Sequence, residues 1–144
     1  MEEYRDMGKT KILAGEQFFE LLCKDQDFCA QMGRTLLVAG RMETKLKKYL
    51  IKHSVNAEGQ TLGSLLKLLK DHNLLKRMRP ALNTLRLQRN IWPHNVYDLL
   101  TGSIRNPILP NTKLIADDVH LFTGKARELE ENLTGIAELI EKAG

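Results

Sequence analysis

The C-terminal part of the chain carries the feature that most limits its fold. Ile115, Val119, Phe122, Ala126, Leu129, Leu133, Ile136 and Ile140 recur at steps that are mostly four and three. An α-helix turns once in about 3.6 residues, so these steps hold all eight side chains on one stripe for about seven turns. A stripe of that length is stable only when buried against other helices, in a bundle core or at a dimer interface. No segment shows the alternation of a half-buried strand. The 144 residues suit one domain, here 1–144. The expected fold is all-α, an up-and-down bundle of four main helices with short ones added.

The remaining helices follow from the same periodicity. Ile12, Leu13, Phe18, Phe19, Leu22 and Phe28 predict a first helix, with Gly33 as a break or kink after it. Leu36, Leu37, Ala39, Met42, Leu46, Leu50 and Ile51 predict a second apolar stripe, with Lys45, Lys47, Lys48 and Lys52 over much of its other surface. Ser54 to Gln60 reads as a loop, and Thr61 as the N-cap of a short third helix bearing Leu62, Leu65, Leu66 and Leu69. Asp71-His72-Asn73 ends or bends that helix. Pro80 fits the first turn of a fourth, where its missing N–H is no loss. Leu82, Leu85 and Ile91 are its inward candidates. Gly102 to Pro110 reads as a loop, and Asn111 or Thr112 as the cap of the last helix.

Charge narrows the function. Residues 41–94 hold 12 basic and 3 acidic side chains, while both flanks are mildly acidic. A basic centre points to an anionic partner, phosphate foremost, or to a solvated lysine face. No apolar run reaches the roughly 18 residues of a membrane span. The charged start Met1-Glu2-Glu3 is unlike a signal peptide, so a cytoplasmic chain is expected. Cys23 and Cys29 form no CxxC pair and no zinc pattern with the four histidines, and both read as reduced core residues. The common phosphate-loop, dinucleotide and HExxH zinc motifs are absent, and no metal or cofactor is expected.

The stretch Leu82 to His94 contains Arg89-Asn90 followed four residues later by His94. This resembles the HEPN superfamily, whose motif is Arg, four to six residues, then His, with a polar residue after the Arg. The family's earlier helix is similar to Ala39, Met42, Glu43 and Leu46, and its leucine-glycine segment to Thr61-Leu62-Gly63-x2-Leu66. The resemblance is close over residues 82–94 and loose over most of the rest. It implies a small helical bundle, a homodimer, and a metal-independent endoribonuclease of toxin–antitoxin or phage-defence systems, with a cognate antitoxin as a further partner. Arg89, Asn90 and His94 would then be the catalytic set. Glu43, and Tyr97 one position beyond the tyrosine of a His-x-Tyr extension, are accessory candidates.

These residue types suit the chemistry. Histidine transfers protons near neutral pH. Arginine keeps its charge, and its planar fork matches phosphate oxygens. One His per chain is too few for separate acid and base, and a two-fold dimer supplies two. Lys76, Arg77, Arg79 and Arg86 lead into the motif and are candidates to hold RNA. Trp92 fits a core anchor, with base stacking as the alternative. In an unbroken helix, positions five apart are turned about 140° from each other. Pro93 lacks the N–H that would bond Arg89's carbonyl and crowds that carbonyl. A helix end or sharp kink is therefore expected at 91–93, with His94 in the first turn of a new helix. Two other readings stand beside the nuclease. One is a non-catalytic HEPN-like module binding RNA, nucleotide or protein. The other is a structural bundle with a solvated basic face.

Overall fold

A computed structural model of the chain describes residues 11–101 and 113–144, without the side chains of Ile91, His94 and residues 96–101. Five helices and no strand occur among the described residues: α1 Gly15–Lys24, α2 Gln26–Lys52, α3 Leu62–Asp71, α4 Arg79–Thr101 and α5 Asp118–Ala143. The protein is an all-α helical bundle. Three helices are long and two have ten residues each. The loop expected over 102–110 and the caps proposed at Asn111 and Thr112 lie outside the described residues.

The first break falls at Asp25 and not at Gly33. Asp25 leaves helical geometry at ψ 114°, and its N–H closes α1 on the carbonyls of Leu21 and Leu22. Its carboxylate then accepts the N–H of Phe28 at 2.7 Å, which caps α2. One aspartate thus serves both helix ends, and α2 runs on through Gly33. A Cβ at Gly33 would meet nothing within 4 Å, so this glycine answers no packing need. Cys29 lies one turn into α2, and its thiol donates to the carbonyls of Leu22 and Cys23 at 3.3 and 3.4 Å. Both cysteines are exposed, against the core positions expected for them. They sit where α1 ends and its last carbonyls need donors.

Other boundaries follow the sequence closely. Thr61 caps α3 by accepting the N–H of Ser64 at 3.3 Å. Asn73, at φ 53°, ends it in the left-handed region. Gly59 turns the preceding loop at φ 72°. The last helix starts later than expected. Asp118 opens α5, and its carboxylate accepts the N–H of Ile115 at 2.9 Å. Ile115 is therefore a pre-helix residue.

By contact density the chain divides into two compact units. One takes the residues up to Arg34 together with Asn90–Glu128. Its core is aromatic: Phe18 meets the edge of Phe122 at 5.1 Å, Phe122 meets Trp92 at 5.6 Å, and Trp92 meets Phe28 at 6.1 Å. Leu13 N–H bonds the Leu114 carbonyl at 2.8 Å beside it. The other unit takes Thr35–Arg89 and Leu129–Gly144. Its core is aliphatic, built on Met42, Leu46, Leu50, Leu65, Leu69, Leu82, Leu133 and Ile140. Three members of the predicted second stripe are outside it: Leu36 is 59%, Leu37 76% and Ile51 59% exposed, while Ala39 is buried as expected and Val38 is buried as well. A run of adjacent apolar residues cannot all face one way on a helix, and packing selected the set in phase with Met42 and Leu46.

Phe122→Ala should cost about 3–5 kcal/mol of unfolding free energy in urea titration, since it empties the centre of the aromatic core. Gly33→Ala should raise stability by roughly 0.5–1 kcal/mol in the same measurement, because the position is helical and open.

Candidate functional site

Arg89 occupies an inward position of α4. Leu82 and Leu85 precede it on the same stripe and are buried. Its side chain keeps 37% exposure, and Nη2 lies 3.2 Å from Oε1 of Glu43 on α2, whose side chain is 17% exposed. The contact is an ion pair and not a well-formed hydrogen bond. Among the described residues, Glu43 Oε1 and Arg89 Nε are buried without a hydrogen-bond partner. Glu43 is thus a half-buried counter-ion to the motif's arginine, and the two residues named from separate helices come together. The guanidinium therefore has an unsatisfied Nε–H donor beside its counter-ion.

The rest of the motif is arranged differently from expectation. Of the helix end or sharp kink expected at 91–93, the end does not occur: Pro93 lies inside α4, which continues to Thr101. His94 is therefore inside a helix and is not in the first turn of a new one, and no helix N-terminus acts on it. The Pro93 ring forbids one backbone bond, but the helix resumes because flanking turns still pair. Asn90 is exposed. Arg89 belongs to the aliphatic unit, and Asn90 and His94 to the aromatic one. The side chains of His94 and Tyr97 lie outside the description.

The remaining candidates divide. Lys76 and Arg77 are exposed in the turn before α4, and Arg79 opens that helix. Arg86 is half-buried and donates from Nε and Nη2 to Asn83 Oδ1 at 3.3 and 3.1 Å. Trp92 is 5% exposed and enclosed by Phe28 and Phe122, so it is a core anchor and offers no face to a base. Charge follows the division of the chain. The aliphatic unit holds thirteen lysines and arginines against seven carboxylates. The described residues contain no group of three or more His, Cys, Asp or Glu able to hold a metal. No described helix is long and apolar enough to cross a membrane.

A second charged cluster was not singled out as a site by spacing alone. Lys45, Lys48 and Lys52 of α2 line a depression of about 190 Å³ with Tyr49, Ile140, Glu141 and Gly144. Lys45 Nζ donates to Glu141 Oε2 at 2.6 Å. That hydrogen bond, then the Lys45 charge, hold the Glu141 carboxyl below its ordinary value; slight burial opposes them, and Lys48 adds to the lowering. The lysine spacing is visible in the sequence. The carboxylate that faces it comes from α5, 96 residues away, and only folding reveals it.

Compared with protein-family models, curated proteins and solved structures, the chain matches none.

Glu43→Gln should destabilise the protein by about 1 kcal/mol, between the values of exposed and buried pairs. A double-mutant cycle with Arg89→Met should return a coupling of similar size. The pH dependence of the Lys45–Glu141 pair has a fixed sign. Its contribution is present above the carboxyl's ordinary value and is lost as pH falls through the lowered one. The stability difference between wild type and Glu141→Gln should therefore vanish on acidification.

Proposed function

We propose that the protein is a metal-independent endoribonuclease of the HEPN type, working as a homodimer in the cytoplasm within a toxin–antitoxin or phage-defence system. RNA is the substrate, and a cognate antitoxin is the partner expected in such a system. The observation that supports this best is Arg89. It combines the motif Arg-Asn-x3-His with a guanidinium anchored by Glu43 in the strongly basic unit. An anchored guanidinium is oriented before substrate arrives, and that is what stabilising a charged transition state requires.

In the proposed reaction, the 2′-oxygen attacks phosphorus and the bond to the 5′-oxygen breaks, leaving a 2′,3′-cyclic phosphate. One His94 imidazole accepts the 2′-OH proton, and the His94 of a second protomer, protonated, gives one to the departing 5′-oxygen. Arg89 neutralises charge on the non-bridging oxygens, and Asn90 holds the phosphate or orients an imidazole. Separate acid and base call for two imidazoles, and the motif supplies one His per chain, so a two-fold dimer shares the work between two protomers.

The Glu43–Arg89 pair also favours a second reading, a non-catalytic helical module in which Arg89 is structural and the basic unit binds RNA, nucleotide or a protein. Wild type, His94→Ala and Arg89→Ala, assayed on end-labelled RNA with EDTA present, separate the two. The nuclease reading expects cyclic phosphate ends from wild type and a loss of about 100-fold or more in each variant. Equal activity in all three rejects it. A monomer in light scattering at assay concentration rejects the shared site.

A further inference from the structure

Helix α2 carries Arg41, Lys45, Lys48 and Lys52 at steps of four, three and four. Those steps keep the four cations on one stripe, each about one turn from the next, over a rise of roughly 16 Å. All four belong to the aliphatic unit. Like charges on adjacent turns repel, so the stripe costs stability unless an anion relieves it. Only part of that relief is internal. Glu141 pairs with Lys45, and Lys52 Nζ lies 3.5 Å from the Gly144 carbonyl oxygen. Lys48 and Arg41 make no ion pair or hydrogen bond among the described residues. Between the lysines, the depression of about 190 Å³ is floored by Tyr49 and Ile140, both buried, so the ammonium groups rim a concave surface.

From this arrangement we infer that the Arg41–Lys45–Lys48–Lys52 stripe is a backbone-binding track for RNA, separate from Lys76, Arg77, Arg79 and Arg86, in which Glu141 occupies one phosphate position until RNA displaces it. The inference rests on the RNA reading above and deepens it. A row of cations one turn apart fits a polyanion with regularly repeated charge better than a single small anion. A membrane surface fits poorly. An interfacial helix inserts its apolar face, whereas Met42, Leu46 and Leu50, the apolar face of this one, are buried in the core. The track reads no sequence, because lysines on phosphates position a strand without touching base edges.

The test measures binding of a fluorescein-labelled single-stranded RNA by anisotropy across a salt series, with the full chain and with folding checked by circular dichroism. Lys48→Glu/Lys52→Glu should weaken binding by roughly tenfold or more and reduce the slope of log K against log salt by about 1.4, two phosphate contacts' worth. Glu141→Gln should tighten binding. Lys24→Glu/Lys125→Glu changes net charge equally in the other unit and should have much the smaller effect. If wild type binds and the stripe variant keeps its affinity and slope, or weakens no more than the charge-matched control, the track is rejected and the RNA reading stands. If wild type binds no RNA at low salt, both fall. A stripe variant that loses binding to phosphatidylserine vesicles while keeping RNA assigns the stripe to a membrane and overturns the inference.

Discussion

Burial of the α5 stripe is the constraint on which both units depend. Val119, Phe122 and Ala126 enter the aromatic core, and Leu129, Leu133, Ala137 and Ile140 enter the aliphatic one. A helix of 26 residues with an apolar stripe along its whole length has no stable state in water by itself. Each core therefore collects partners for its share of that stripe: α1 and the start of α2 in one, α3 and the rest of α2 in the other, with α4 supplying Trp92 to the first and Leu82 and Leu85 to the second.

Helix ends are decided by a different currency, the unpaired backbone groups of the terminal turns. Asp25 and Asp118 offer carboxylates where N–H groups need acceptors, and the chain breaks or starts there. Gly33 only lowers helix propensity, by about 1 kcal/mol, and capping at Asp25 with packing of Phe28, Val38 and Met42 on one continuous α2 outweighs it. Pro93 is tolerated for a related reason. One lost hydrogen bond is small beside the burial of Trp92 one residue before it.

Charge is divided as sharply as the cores. The aliphatic unit concentrates the excess of cations, and in it Arg89 pairs with Glu43 and Lys45 with Glu141, each cation meeting a carboxylate from another helix. The first pair is half-buried and fixes a guanidinium. The second has its carboxylate open to solvent. These are two different uses of the same chemistry, set by how much water each pair keeps.

Much of this was legible in the sequence. The α5 stripe, the Thr61 cap, the end of α3 at Asn73 and the entry of Pro80 into α4 all depend on neighbours within a turn or two, and local spacing reports such contacts directly. The Arg-Asn-x3-His motif and the basic central segment were legible for the same reason. What spacing could not decide was which of several adjacent apolar residues a helix buries. Leu36, Leu37 and Ile51 went outward because α2 had to meet particular partners. Nor could it decide which carboxylate meets which cation. Glu43 faces Arg89 across 46 positions, and Glu141 faces Lys45 across 96. The sequence by itself determined that the chain is helical, where α2 ends, where α3 begins and ends, where α4 begins, and where its positive charge lies. Only the tertiary structure decided the rotation of each helix about its axis, because that rotation is chosen by the jigsaw of side chains from distant segments.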